Sequence, residues 1–175
     1  MGPIPLYSVW TYTDVDRAFW TEHLEDWVPR RIFDTHVHIS DPRFRLREMS
    51  DENRRQYWVN ELEDCIGASR LQQCMDVIFP GREVSVLAMG SPSLRHDIEG
   101  VNNDLQTECV RRGWYNLALI RPQWPVEKVA SLLDRPNVVG VKVYYDLISG
   151  EPAPRDRRLE ADIFDFLPHH QLALL

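Results

Sequence analysis

Lysine is scarce in this chain of 175 residues, although it carries many positive charges. Lys128 and Lys142 are its only lysines, so arginine supplies nearly all of the 20 basic side chains. The 27 acidic side chains outnumber them, and the net charge is −7. An acidic chain has no general attraction for nucleic-acid phosphates or for anionic membrane surfaces. We therefore expect neither nucleic acid nor membrane among its partners.

Cysteine and long apolar runs are also rare. Cys65, Cys74 and Cys109 are odd in number and widely spaced, which predicts reduced core thiols instead of a disulfide framework or a zinc knuckle. No apolar run approaches the ~20 residues that a membrane-spanning helix needs. The first ten residues lack the basic start and the apolar stretch of a signal peptide. These features predict a cytoplasmic protein.

The most informative stretch, residues 31–39, reads Arg-Ile-Phe-Asp-Thr-His-Val-His-Ile and is typical of a β-strand. Because side chains alternate along a strand, His36 and His38 should project from one face, together with Ile32 and Asp34. Two neutral imidazoles on one face can bind the same divalent ion at roughly 2.0–2.1 Å. The pattern predicts two metal ligands, and the competing interpretation is a chance His-x-His in a structural strand.

Strands and helices alternate along the rest of the chain. After a leader and a helix over 14–27, the predicted strands are 31–39, 74–79, 116–120 and 138–145, and the predicted helices are 51–70, 101–112, 125–133 and 159 onward. Residues 84–89 fit either a further strand or an apolar loop. Such alternation favours a parallel sheet covered by helices. Without a dinucleotide glycine fingerprint or phosphate loop, it favours a TIM-barrel-like (β/α) repeat whose site lies at the carboxyl ends of the strands.

Four strands are about half of the eight that a TIM barrel needs, and a complete barrel takes about 250 residues. The final residues, Leu-Ala-Leu-Leu, are apolar and have no glycine cap. We therefore expect residues 1–30 to form a leader with a helix, and residues 31–175 to form the first half of a truncated barrel. Such a half-barrel alone would expose its interior and two sheet edges.

Two segments resemble the amidohydrolase superfamily, in the branch named amidohydrolase 2. Residues 32–38 are similar to its first strand and residues 137–145 to its fourth, while the match between them is looser and includes residues 118–122. The resemblance implies a metal-dependent hydrolase in which His36 and His38 bind a divalent metal, usually zinc. Its activated water would attack a small carbonyl or carboxylate-type substrate. The family's remaining ligands and its catalytic acid, on the fifth, sixth and eighth strands, lie outside this chain.

Three more side chains are candidates for the site. Lys142 and Tyr144 should face the barrel interior from the predicted fourth strand. Three roles stay open for Lys142: a carboxylated bridge between two metals, a contact to substrate or to a ligand, or a structural lysine that extends to solvent. Arg121, at the end of the third strand, can grip a substrate carboxylate or form a loop salt bridge. Tyr144 is a second candidate for binding the substrate.

Other functions also fit the sequence. The same metal motif serves non-hydrolytic decarboxylases of the superfamily, and a metal-free lactonase-like barrel is a further possibility. The chain also fits a non-catalytic half-barrel that pairs with a missing half or with another copy of itself, because two histidines alone should hold zinc poorly. His169 and His170 follow Pro168 in a predicted helix, and we expect them on the helix surface and not among the ligands.

Overall fold

The computed structural model describes residues 2–56, 65–144, 147 and 169–174. Its strands are β1 (Ile4–Pro5), β2 (Thr11–Tyr12), β3 (Arg31–His38), β4 (Glu83–Met89), β5 (Tyr115–Leu119) and β6 (Val138–Lys142). Its α-helices are α1 (Asp14–Phe19), α2 (Asp51–Gln56), α3 (Ala68–Ile78), α4 (Ile98–Arg112), α5 (Val126–Leu133) and α6 (His169–Leu174). A π-helical turn (Trp20–Leu24) extends α1, and a 3₁₀ turn (Pro42–Phe44) follows β3.

A four-stranded parallel sheet in the order β3-β4-β5-β6 forms the centre of the fold, and helices flank it. The chain is therefore an α/β protein, as its strand–helix alternation predicts. In the leader, β1 and β2 form a separate antiparallel pair. The division at residue 30 into a leader and a half-barrel stays a prediction. In the described part of the chain, no helix has both the length and the apolar character that a membrane span requires.

The first helix begins with a reciprocal cap. The backbone N–H and the hydroxyl of Thr13 both donate to the Asp16 carboxylate, each at 2.7 Å. These hydrogen bonds lower the pKa of Asp16, because they favour its charged form. The helix continues through Leu24, so the predicted helix over 14–27 is confirmed for most of its length.

The segment between β3 and β4 differs from the prediction. A single helix over 51–70 is wrong, because residues 65–67 are not helical and α3 begins at Ala68. Residues 57–64 lie outside the described residues. The strand predicted over 74–79 is also wrong, since these residues form the end of α3 and its cap. Leu71 and Met75 lie one helical turn apart, and both pack against the sheet. Burial of this helical face outweighs the strand preference of Val77 and Ile78.

The sequence left residues 84–89 open between a strand and a loop. In the structure they belong to β4, the second strand of the sheet. Val86 and Ala88 are fully buried, while Ser85 and Leu87 are half-buried, so the strand has the expected period of two. Of the later predicted elements, β5, α4 and α5 lie close to their predicted bounds. The helix predicted from 159 onward lies outside the described residues up to residue 168, and α6 begins at His169. The helix α4 begins three residues earlier than predicted, and β6 ends at Lys142, with residue 145 outside the described part.

The hydrophobic core lies between the sheet and its helices, in two clusters. One cluster joins Val86 and Ala88 of β4 to Met75 of α3 and Leu105 of α4. The other packs the end of β5 against α5 and includes the following residues: Ala118, Leu119, Ile120, Val129 and Leu132. The side of the sheet on which Val86 and Ala88 lie is called the helix side, because residues of α3 and α4 pack against it. The opposite side, on which Phe33, Leu87 and His38 lie, is called the open face below.

The three cysteines all lie in the described part of the chain, where they are buried and form no disulfide, and their reduced state stays a prediction. Burial raises the pKa of Cys109 to about 12, so its thiol keeps its proton at neutral pH. Burial also raises the pKa of Cys74. These thiols therefore behave as small apolar side chains.

Two buried amides tie the end of β5 to its surroundings. From α4, Asn102 Nδ2 donates to the Leu119 carbonyl at 2.8 Å, and Asn102 Oδ1 accepts from the Leu119 N–H at 3.0 Å. From α6, Gln171 Nε2 donates to the carbonyls of Trp124 at 2.7 Å and of Arg121 at 3.0 Å. Because both amides bind backbone groups, they fix the path of the chain at the carboxyl end of β5.

Candidate metal-binding site

A β-bulge in β3 determines the face of the sheet from which the His36 and His38 side chains project. The register pairs Asp34 with Val86 and Val37 with Ala88, so three steps along β3 correspond to two along β4. The Asp34 carboxylate accepts a hydrogen bond from the His36 N–H at 3.0 Å, within the bulge. An extra residue in one strand interrupts the alternation of side chains.

The bulge overturns one expectation about this strand. Ile32 and Asp34 follow the register of β4 residues that pack toward the helices, whereas Phe33 and His38 follow the register of the open face. The predicted placement of Ile32 and Asp34 on the same face as the histidines is therefore wrong. His36 lies beyond the start of the bulge and its ring stays beside that of His38.

The imidazole rings of His36 and His38 lie side by side. Their centroids are 5.3 Å apart and their planes are inclined by 44°. Two imidazoles that bind one ion at roughly 2.0–2.1 Å, at a tetrahedral angle, have centroids about 5 Å apart. The separation of the two rings therefore fits a shared divalent ion.

The backbone carbonyl of Gly90 orients His38. His38 Nδ1 lies 3.0 Å from this oxygen, and because a carbonyl can only accept, Nδ1 carries the hydrogen. Nε2 is then the basic nitrogen of the neutral ring. Histidines that bind metals commonly donate their other ring N–H to such a partner. His38 therefore has the hydrogen bonding of a metal ligand.

The surroundings of His38 also favour its neutral form. Loss of water around the ring is the largest cause that lowers the pKa of His38, and electrostatic interactions with His36 and Lys142 lower it further. The hydrogen bond to the Gly90 carbonyl acts in the opposite direction. Since metals bind the neutral imidazole, the net shift keeps Nε2 available near neutral pH.

Tyr144 and Lys142 lie at the opposite edge of the sheet from β3, and the Tyr144 side chain contacts His38. Tyr144 Oη lies 3.4 Å from His38 Nε2 and 3.6 Å from Met89 Sδ, and Lys142 Nζ lies 5.3 Å from the Tyr144 ring centroid. In a flat sheet the first and fourth strands are about 14 Å apart. The His38 and Tyr144 side chains therefore meet across the open face, between β3 and the residues that follow β6. Burial raises the pKa of Tyr144, which keeps the phenol protonated.

Four of the predicted site residues thus meet at the carboxyl end of the sheet: His36, His38, Lys142 and Tyr144. Arg121 lies elsewhere, since its Nε donates to the Leu147 carbonyl at 3.2 Å. No contact recorded for the described residues joins Arg121 to the histidines, and its role in substrate binding stays a prediction. His169 and His170 are exposed at the start of α6, as expected.

Sequence reasoning missed Gly90. A Cβ atom at this buried position would lie 2.5 Å from Val101 Cγ1 and 3.0 Å from Leu119 Cδ1. Only glycine therefore lets the chain pass close enough to α4 for its carbonyl to meet His38. The one signal in the sequence is a glycine directly after a buried strand, and it does not by itself name His38 as the partner.

We expect Gly90→Ala to lower the free energy of unfolding by about 1–3 kcal/mol, because the added methyl overlaps Val101. We also expect zinc affinity to fall by about 10- to 100-fold, because the carbonyl that orients His38 is displaced. Urea denaturation and zinc titration by calorimetry measure the two effects. Gly67→Ala is the matched control, since a Cβ there would meet only Asp41 Oδ2 at an ordinary 3.7 Å. Unchanged zinc affinity in Gly90→Ala would contradict the orienting role.

Across residues 2–56, 65–144, 147 and 169–174, no group of three or more His, Cys, Asp or Glu side chains could hold a metal ion. His36 and His38 are thus a pair of candidate ligands without a third of these types in the described part of the chain.

Comparison with protein-family models, curated proteins and solved structures found no match. The function of the site must therefore be inferred from its own geometry and residue pattern.

Proposed function

We propose that this chain carries part of the active site of a metal-dependent hydrolase of the amidohydrolase type, built on a TIM-barrel-like repeat. The observation that carries the proposal is the adjacent pair of imidazoles at the end of β3, with His38 Nδ1 bonded to Gly90 O. Enzymes with parallel β/α barrels place their catalytic residues at this end of their strands. The four-stranded parallel sheet flanked by helices is compatible with such a barrel.

His36 and His38 would hold the metal, and nitrogen ligands of this kind suit zinc. A bound zinc ion polarises a substrate carbonyl and lowers the pKa of a coordinated water. The chain's own contribution begins with His38, which the Gly90 carbonyl keeps in the tautomer that presents Nε2. The ligand is therefore held in its binding orientation before the metal arrives.

Lys142 and Tyr144 suit a small carbonyl or carboxylate-type substrate. The ammonium of Lys142 offers a positive charge on the open face, 5.3 Å from the Tyr144 ring centroid, to which a substrate carboxylate can bind. The protonated phenol of Tyr144 can donate to an oxygen on which negative charge develops. Both groups lie close enough to His38 to act on one small molecule.

One observation favours a second candidate, a non-catalytic half-barrel. The candidate site has two adjacent imidazoles, and the described residues contain no group of three metal-binding side chains. Catalytic zinc sites generally use three protein ligands and a water. A chain with two ligands binds zinc weakly unless another segment or another molecule supplies the third.

Zinc calorimetry combined with hydrolysis assays tests the proposal. We expect the chain to bind zinc and to hydrolyse at least one member of a panel of small carboxylate-bearing esters, lactones and amides. Chelation should abolish this activity and added zinc should restore it. Zinc binding without turnover would support the half-barrel. Absence of zinc binding, or hydrolysis that survives exhaustive chelation, would overturn the metal site.

A further inference from the structure

The helix of the leader is fixed to the body of the protein along one face. Trp20 is 4% exposed, and its ring packs edge to face on Phe79 with centroids 6.1 Å apart. The Arg82 guanidinium lies over the same indole, 5.1 Å from its centroid, and Arg82 Nε donates to the Val28 carbonyl at 3.2 Å. The opposite face of the helix therefore points away from these contacts.

That opposite face is apolar. Val15 is 78% exposed and Phe19 is 54% exposed, and they lie one helical turn apart. Together with Ala18 they line an open groove of about 460 Å³, called the leader groove below. The described residues that line it are Asp14, Val15, Ala18, Phe19, Glu22 and His23. A surface helix normally turns its polar side chains to water, so contiguous apolar side chains in this position are typical of a surface that binds another protein.

The leader groove lies in a strongly acidic segment. Between residues 14 and 26 the chain has five carboxylates and one arginine. Asp14 and Glu22 belong to the groove itself, and Asp16 keeps its charge because hydrogen bonds with Thr13 lower its pKa. Arg17 Nε lies 3.5 Å from Asp14 Oδ1, so this arginine offsets one of the five negative charges. The groove thus combines an apolar centre with negative charge around it, and its complement is an apolar surface with a positive rim.

We infer that the leader groove binds a basic amphipathic helix of another protein, whose apolar side chains cover Val15 and Phe19 and whose lysines or arginines face Glu22 and the neighbouring carboxylates. Two helices pack in this way by fitting ridges of side chains into grooves. Opposite charges at the rim favour the correct partner and speed its association. A second copy of this chain would place like charges against each other. The inference does not depend on the metal site.

A synthetic helix tests this binding on the whole chain. The probe is a fluorescently labelled peptide of about 18 leucines and lysines, long enough to form a helix, with every leucine on one face. We expect saturable binding with a dissociation constant between about 1 and 100 μM, measured by fluorescence anisotropy. A peptide of the same composition, with its leucines spread around the helix, should bind at least about tenfold more weakly. A version with glutamates in place of the lysines should not bind.

Matched variants locate the binding to the leader groove. Val15→Ser should weaken it by about tenfold, because an apolar side chain that the partner covers is lost. Val110→Ser is its control, since Val110 is 47% exposed on α4 and does not line the groove. Glu22→Lys reverses a charge at the rim and should weaken binding by about threefold or more, whereas Glu127→Lys, at an exposed position of α5, should not. All four positions are exposed, so circular dichroism should show an unchanged fold.

Contrary results would overturn the inference in distinct ways. Equal binding of the two leucine–lysine peptides, or equal affinity of Val15→Ser and the wild type, would show that the net charge of −7 attracts any basic peptide. Unchanged affinity in Glu22→Lys, or binding of the glutamate peptide, would exclude a basic partner. Sedimentation of the chain alone tests the remaining alternative, because a dimer that Val15→Ser dissociates would show that a second copy covers the groove.

Discussion

His38→Ala is expected to weaken zinc binding by about 100-fold or more, since removal of a ligand costs at least as much as loss of a group that supports one. The structural reason is specific to this ring. Its Nδ1–H is bonded to Gly90 O, its pKa is lowered, and its Nε2 is the basic nitrogen on the open face. Alanine removes that nitrogen while the backbone of β3 is retained. Zinc calorimetry measures the loss.

His170→Ala is the matched control for this measurement. His170 is exposed on α6, and its replacement should leave zinc affinity unchanged within about twofold, since it is not among the proposed ligands. His38→Ala should also unfold at nearly the wild-type urea concentration, which separates loss of a ligand from loss of the fold. Equal zinc affinity in the wild type and in His38→Ala would refute the role of this histidine.

Asn102→Ala is expected to lower the free energy of unfolding by about 2–5 kcal/mol, because it leaves two buried backbone groups without their partner. The Asn102 amide satisfies both the N–H and the carbonyl of Leu119 at the end of β5. Alanine supplies neither a donor nor an acceptor, and it also leaves a small cavity. Urea denaturation followed by circular dichroism measures the change.

Two variants sharpen this test. Asn103→Ala, at the exposed neighbouring position, should cost no more than about 1 kcal/mol, as is usual for surface substitutions. Asn102→Asp keeps the size of the side chain but cannot donate to the Leu119 carbonyl when ionised, and it should also destabilise the protein. If Asn102→Ala and Asn103→Ala were equally stable, the buried amide would have no structural role.

Local pattern predicted much of the fold and which of the candidate side chains lie together. Alternation along β6 correctly assigned Lys142 and Tyr144 to the same face, because the irregularity at Val139 lies before both residues. His36 and His38 are brought together as expected, since both lie at the end of one strand. In each case, a few neighbouring residues on one strand carry the information.

Features that depend on distant contacts could not be predicted in this way. Residues 74–79 look like a strand locally, but the packing of α3 against β4 makes them helical. The bulge in β3 is visible only from its register with β4. Gly90 lies 52 positions from His38, and the distance between them in the sequence hides their hydrogen bond. Tertiary packing decides each of these features, and no short window of sequence contains it.

The hydrogen bond between His38 and Gly90 has a consequence for the evolution of this site. A side-chain acceptor is lost when its residue is replaced, whereas this main-chain oxygen depends on a glycine that lets the chain approach α4. Its location is set by how closely the chain after β4 approaches Val101 on α4. The tautomer of His38 is therefore determined by the spacing between α4 and the end of β4. Substitutions elsewhere that widen this spacing would break the hydrogen bond that orients His38, even though His38 itself is unchanged.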